Sequence, residues 1–195
     1  MTVQSGSLTV GANGTAGQQS MSLSSEGRGY GSSNQSGGAG FGGQIFFRLI
    51  DALVDIGEAF TVTTNGVGGP GGIPSPLPAQ TPGIGMAYGG NARGGDIEIS
   101  TSGTTELSVG QGLTLSADGT GGGAANGASG GVFGGSGAGG NFDLVLDGVS
   151  ITTPIVAISA VGTGGAGQNA VGSDFRSGSY VPRHAGRGGY GTGGR

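Results

Sequence analysis

Four times along this chain, a glycine is followed two residues later by an apolar-x-apolar pair, and some 13 to 16 residues further on by a second such pair. The first pairs are Leu8 and Val10, Ile45 and Phe47, Ile97 and Ile99, and Phe142 and Leu144. The second pairs are Met21 and Leu23, Phe60 and Val62, Leu113 and Leu115, and Val156 and Ile158. Four residues past each second pair stands another glycine (Gly27, Gly66, Gly119 and Gly162), and a glycine-rich tract begins. Apolar residues at i and i+2 lie on one face of a strand. One such module cannot bury that face alone, whereas stacked copies can.

The pattern therefore predicts an all-β protein, a repetitive β-solenoid or stacked β-sheet layer. It forms a single domain over 1–195, with modules at about 1–43, 44–93, 94–138 and 139–195. The residues expected to form the stack are Ile45, Phe47, Phe60, Val62, Ile97, Ile99, Leu113, Leu115, Phe142, Leu144, Val156 and Ile158. DIEIS, LTLSA and FDLVL read as half-buried strands, with Asp96, Glu98 and Asp143 on the wet face. TSGTT and DGVS read as turns. The stretch QIFFRLIDALVDIGEAF is ambiguous. Its Arg48, Asp51 and Asp55 fall at the spacing of an amphipathic helix, while its two apolar pairs fit the strands of the other modules.

The tracts between modules hold most of the 52 glycines. Residues 27–43 and 119–140 are glycine, serine, alanine and asparagine with few bulky groups, and residues 66–95 add GGPGGIPSPLPAQTPGIG. Flexible linkers are one reading. The other is order: proline favours polyproline II, and glycine segments of that form, lacking side chains, can approach one another and exchange backbone hydrogen bonds. Ordering a residue costs roughly 1–2 kcal/mol, so fixing this many glycines requires dense packing, to which neighbouring copies of the chain would contribute.

Several chemistries are excluded or weakened. With no cysteine, disulfides and thiolate metal sites are absent, and one histidine, His184, cannot form a histidine metal cluster. No lysine is present, which closes the phosphate-binding loop of NTPases. GTGGAG at 162–167 fits G-x-G-x-x-G, but the helix that the motif requires does not follow. Asp118 precedes its glycines, the wrong order for a calcium-binding solenoid turn, and reads with Asp174 as a turn residue. The carboxylate pairs Asp96/Glu98 and Asp51/Asp55 lie where alternation puts solvent, unlike a converging acid/base pair. Arg28 with Tyr30 and Arg187 with Tyr190 are too few for an RNA-binding segment at a net charge of −4; hydrogen bonds to neighbouring carbonyls account for them. Asn13 and Asn34 stand in N-x-S/T triplets of the kind chance supplies here. Regular threonine rows of an ice-binding face are not seen. No apolar run approaches the ~20 residues of a membrane span. No cofactor and no nucleic-acid partner is expected.

GGDIEISTSGTTELSVGQGLTLSADGTGGG (94–123) and GGNFDLVLDGVSITTPIVAISAVGTGGAG (139–167) resemble the repeats of bacterial autotransporter passengers and filamentous-haemagglutinin-like surface proteins. That resemblance implies an extended β-helix outside the cell, used for adhesion, matrix or filament building. The start MTVQSGSLTV lacks the features of a secretory signal, and no membrane-barrel domain follows, which depart from that pattern. A second resemblance is to glycine-rich phage tail-tip adhesins. Together they lead us to expect a non-enzymatic, extracellular or cell-surface structural protein whose partners are copies of itself. The alternative is a receptor- or glycan-binding adhesin, with segment 70–82, Tyr88, Phe133 and Tyr180 at its tip.

Overall fold

The computed structural model describes residues 1–10, 19–31, 36–72, 88–124, 133–167, 175–176, 179–180 and 187–194. All regular structure among them is β. The first rung contains β1 (Thr2–Gln4), β2 (Ser7–Val10), β3 (Met21–Ser24) and β4 (Gly27–Arg28). The second runs through β5 (Gly40–Phe41), β6 (Gln44–Ile50), β7 (Leu53–Ile56), β8 (Ala59–Thr63) and β9 (Gly66–Val67). The third is β10 (Ala92–Arg93), β11 (Asp96–Ser102), β12 (Thr105–Val109), β13 (Gly112–Ser116) and β14 (Gly119–Thr120). The fourth is β15 (Gly137–Ala138), β16 (Asn141–Leu146), β17 (Val149–Thr152), β18 (Val156–Ser159) and β19 (Gly162–Thr163). A short antiparallel pair, β20 (Phe175–Arg176) and β21 (Ser179–Tyr180), precedes β22 (Gly191–Thr192).

Corresponding strands of successive rungs pair in parallel, giving five four-stranded sheets: β1-β6-β11-β16, β2-β7-β12-β17, β3-β8-β13-β18, β4-β9-β14-β19 and β5-β10-β15-β22. The architecture is a solenoid-like stack. Its register follows the apolar pairs: Ile45, Ile97 and Phe142 align, as do Phe47, Ile99 and Leu144. Met21, Phe60, Leu113 and Val156 form one rank, and Leu23, Val62, Leu115 and Ile158 another. Gly27, Gly66, Gly119 and Gly162 are likewise in register.

Two differences from the sequence reading have local causes. Each full rung has three core-lined strands, because β7, β12 and β17 lie between the apolar pairs. In module one, Leu8 and Val10 belong to this middle sheet, aligned with Val54 and Ile56, and Val3 aligns with Leu49 in the first sheet. The glycine before Leu8 marks a turn rather than the end of a tract. The ambiguous stretch 44–60 forms strands β6, β7 and the start of β8. Corners after Ile50 and Ile56 reset the two-residue alternation, and that reset imitates a helical period.

The corner between the first two sheets recurs at one position per rung. Ser5 (φ 47°), Asp51 (φ 46°), Gly103 (φ 71°) and Gly148 (φ 61°) all take the left-handed conformation there. Short polar residues and glycine tolerate that conformation best. Asp51 adds a hydrogen bond that its Oδ1 accepts from the Thr104 amide at 3.0 Å.

Inward side chains of the first three sheets form one core. Phe47 and Phe60 meet edge to face at 5.1 Å at its centre, surrounded by Leu49, Val54, Ile56, Ile97, Leu107 and Leu115.

The fourth and fifth sheets are built differently. The chain leaves the core along the fourth sheet and returns along the fifth, and the two backbone layers lie against each other. A Cβ on Gly66 would overlap the carbonyls of Arg93 and Gly40, and one on Gly119 the carbonyl of Ala138. Gly38 donates to the Tyr30 carbonyl, Gly69 to Gly38, Gly90 to Gly69, Gly122 to Gly90, Gly135 to Gly122, Gly165 to Gly135 and Gly189 to Gly165, each at 2.8–2.9 Å. This zigzag alternates between outgoing and returning segments. On the core side, Gly43, Gly140 and Gly194 donate to Ser25, Ala117 and Ala160 at 2.7 Å. Dense backbone contact thus offsets the ordering cost of these glycines.

Gly66→Ala should lower the melting temperature sharply, with a cost of about 3 kcal/mol or more, because backbone rather than a movable side chain occupies the space. Gly112→Ala, whose new methyl would find its nearest neighbour at 3.5 Å, should change stability by less than about 1 kcal/mol. Thermal unfolding of both variants distinguishes packed layers from linkers.

Candidate functional site

The acidic residues are distributed around the stack and engaged locally. Asp96 accepts from Gln44 Nε2 at 3.0 Å and from Asn141 Nδ2 at 2.9 Å, forming a ladder across three rungs. Glu98 follows on the outer face of β11, and Asp143 lies beside it on β16. Asp51 occupies a corner, whereas Asp55 lies in β7. Arg28 pairs with Glu26 at 3.6 Å, while Tyr30 and Tyr190 project into solvent. Among the described residues no group of three or more acids or histidines could hold a metal ion. In 162–167, the Gly165 amide donates to Gly135, so the loop is committed to the glycine layers rather than open to an anion. His184, Asp174, Asn13, Asn34 and residues 73–87 lie outside the described residues.

Asp118 is the most densely bonded acid. Its Oδ1 accepts from Ser159 Oγ at 2.6 Å and from the Val161 amide at 2.7 Å, and its Oδ2 from Ser116 Oγ at 2.9 Å. Partial burial acts to raise its pKa, but the bonds from Ser159, the Val161 amide and Ser116 outweigh that effect and hold it below the ordinary value of 3.8. The bonds from Ser159 and the Val161 amide tie rung three to rung four, while Ser116 braces the carboxylate within its own rung.

The outer face of the third sheet carries ranks that are hard to see in sequence. Ser22, Thr61 and Thr114 align with Ala157, and Ser24, Thr63 and Ser116 align with Ser159. Serine and threonine together make hydroxyl ranks that only the register reveals.

The principal unmatched surface is the upper end of the stack. Of the expected stack residues, Ile45, Phe47, Phe60, Val62, Ile97, Ile99, Leu113 and Leu115 are buried and Phe142 is half-buried. Leu144, Val156 and Ile158 are 38%, 55% and 51% exposed, although their partners one rung below, Ile99, Leu113 and Leu115, are 3%, 6% and 1% exposed. Leu146 and Ile151 are exposed in the same way. The difference is positional: β16, β17 and β18 each end their sheet, with a neighbour on one edge only. At the other end, β1, β2 and β3 are also edge strands, and Val3, Leu8, Val10, Met21 and Leu23 are partly buried against the core. Sequence reasoning found the right apolar residues but had no means of telling an interior rung from a terminal one.

Comparison of the chain with protein-family models, curated proteins and solved structures yields no match.

Because the folded-state pKa of Asp118 is depressed, its stabilisation is present above the unfolded pKa and is lost as pH falls toward and through the folded value. Asp118→Asn should lower the melting temperature at pH 7 and flatten the acid loss below about pH 4. Melting curves at pH 3 to 7 for both proteins test this, and equal pH slopes would refute it.

Proposed function

We propose that this chain is a non-enzymatic extracellular structural protein, a self-assembling repeat subunit of a filament, sheath or surface layer. The observation that carries the reading is the uncovered fourth rung, where open strand edges and a row of aliphatic side chains coincide. Open edges recruit further strands, and a contiguous apolar patch of this kind marks an interaction surface. The glycine tracts serve in this reading as ordered, polyproline-II-like layers that rigidify the subunit. The scarcity of charge, 9% of residues, leaves little repulsion between packed copies. Acids held in ladders and corners suit a scaffold better than a reaction centre. The surface location rests on the resemblance to bacterial surface repeats.

Sedimentation velocity and negative-stain microscopy test the proposal. The wild-type chain should form elongated particles, and Val156→Lys with Ile158→Lys should weaken association by at least about tenfold. A melting temperature within a few degrees of wild type would exclude unfolding as the cause. Wild-type protein that remains monomeric at high concentration would refute the reading.

One observation favours a second reading, a receptor- or glycan-binding tip. Tyr88 and Phe133 stack at 5.6 Å with an interplanar angle of 16° on adjacent returning segments of the glycine layers, and Tyr88 is 40% exposed. Aromatic pairs of this kind are ready contact surfaces. Under this reading, Tyr88→Ala with Phe133→Ala abolishes binding to target cells in a pull-down while leaving sedimentation unchanged. Loss of sedimenting particles instead would assign the pair to the scaffold.

A further inference from the structure

We infer that the occupant of the open fourth rung is the first rung of a second copy, stacked head to tail by a translation of four rungs. This rests on the self-assembly reading and goes further, because it fixes the partner, the polarity and the register. The upper edge consists of β16, β17, β18, β19 and β22, and the lower edge of β1, β2, β3, β4 and β5. Each upper strand is the terminal member of a sheet whose opposite terminal member is the corresponding lower strand. In particular, β22 pairs on β15 and brings the fifth sheet to the level from which β5 of the next copy continues it. One translation therefore extends all five parallel ladders, with the short β1 of the next copy continuing the C-terminal part of β16.

The register follows from the internal ladders. Thr2 aligns with Arg48, Arg48 with Ser100 and Ser100 with Val145, so Thr2 of the next copy lies on Val145 and Val3 on Leu146. By the same steps Leu8 covers Ile151, Met21 covers Val156 and Leu23 covers Ile158. Ile151, Val156 and Ile158 thereby receive above them the type of neighbour that they have below, Leu107, Leu113 and Leu115. Gly27 lies on Gly162, and Gly40 on Gly191, so the side-chain-free layers also continue. The zigzag itself stops at the junction, because Tyr30 of the next copy stands in the column of Gly69, Gly122 and Gly165, where a Cβ would overlap a carbonyl of the rung below, so the outgoing layer must splay there.

Charge agrees with this seating. Gln4 meets Asp147, repeating the amide–carboxylate pairing that joins Gln44 and Asn141 to Asp96. Elsewhere on the outer faces Thr9 meets Thr152, Ser22 meets Ala157, Ser24 meets Ser159 and Arg28 meets Thr163. No acid opposes an acid at these positions, although Glu98 does neighbour Asp143 inside the subunit. The product is a polar filament, because every junction joins the same two ends in the same order.

The chain has no cysteine, so single introduced thiols report the register directly. Ser22 and Ala157 are both exposed on the outer face of the third sheet. Across the junction their Cα atoms would be about 4.8 Å apart, within the roughly 4.4–6.8 Å that a disulfide spans. Full-length S22C and A157C proteins, one carrying a size tag, are mixed and oxidised, and covalent dimers are read on a non-reducing gel beside sedimentation of the same samples. The mixed dimer should exceed the yield from either variant alone by at least about tenfold, and T9C mixed with A157C should yield none. The double variant S22C/A157C should give a ladder of covalent oligomers. Persistent association without the mixed dimer, or equal cross-linking of single variants, would overturn the head-to-tail register while leaving self-assembly standing. Monomeric behaviour of wild type and variants alike would overturn both.

Discussion

Contact between two bare backbone layers sets the terms for the rest of this molecule. Where the chain leaves the core along the fourth sheet and returns along the fifth, carbonyls occupy the space that a Cβ would need. Glycine is the residue that permits such proximity, and the interlayer amide–carbonyl zigzag from Tyr30 to Gly189 is its consequence. Each bond contributes modestly, but the layers satisfy one another's polar groups and so can be ordered without apolar side chains. The excursions out of the core then become structural connections, and one rung is delivered in register onto the next.

The apolar core depends on that delivery. Its strands are short, four to seven residues in the interior rungs, and no single rung encloses an interior. Phe47 and Phe60 are fully buried because rungs lie on both sides of them. Val156 and Ile158, which continue the ranks of Phe60 and Val62, are half-exposed because no strand among the described residues pairs above them. The same residue chemistry is buried as core or left exposed according to height in the stack.

The corners show a similar economy. Ser5, Asp51, Gly103 and Gly148 adopt one left-handed conformation with three residue types, and Asn65, Asp118 and Ser116 bridge rungs at the exit toward the glycine layers. These polar contacts hold alignment where the apolar ranks end. Their carboxylates are occupied in keeping strands in step.

Sequence alone determined the β class, the number of repeats and the in-register ranks of Met21, Phe60, Leu113 and Val156 and their partners, because two-residue alternation and the recurring glycine are local signals. It did not separate the middle strands from their neighbours, since corners of two residues shift the alternation and let 44–60 imitate a helix. The alignment of Leu8 with Val54 rather than Ile45 was likewise beyond reach, because register is a property of paired strands. Only the tertiary structure decided which ranks are covered. A residue's burial depends on what stands above and below it, and whether Leu115 or Ile158 is the last of its column is not written in the residues around either one.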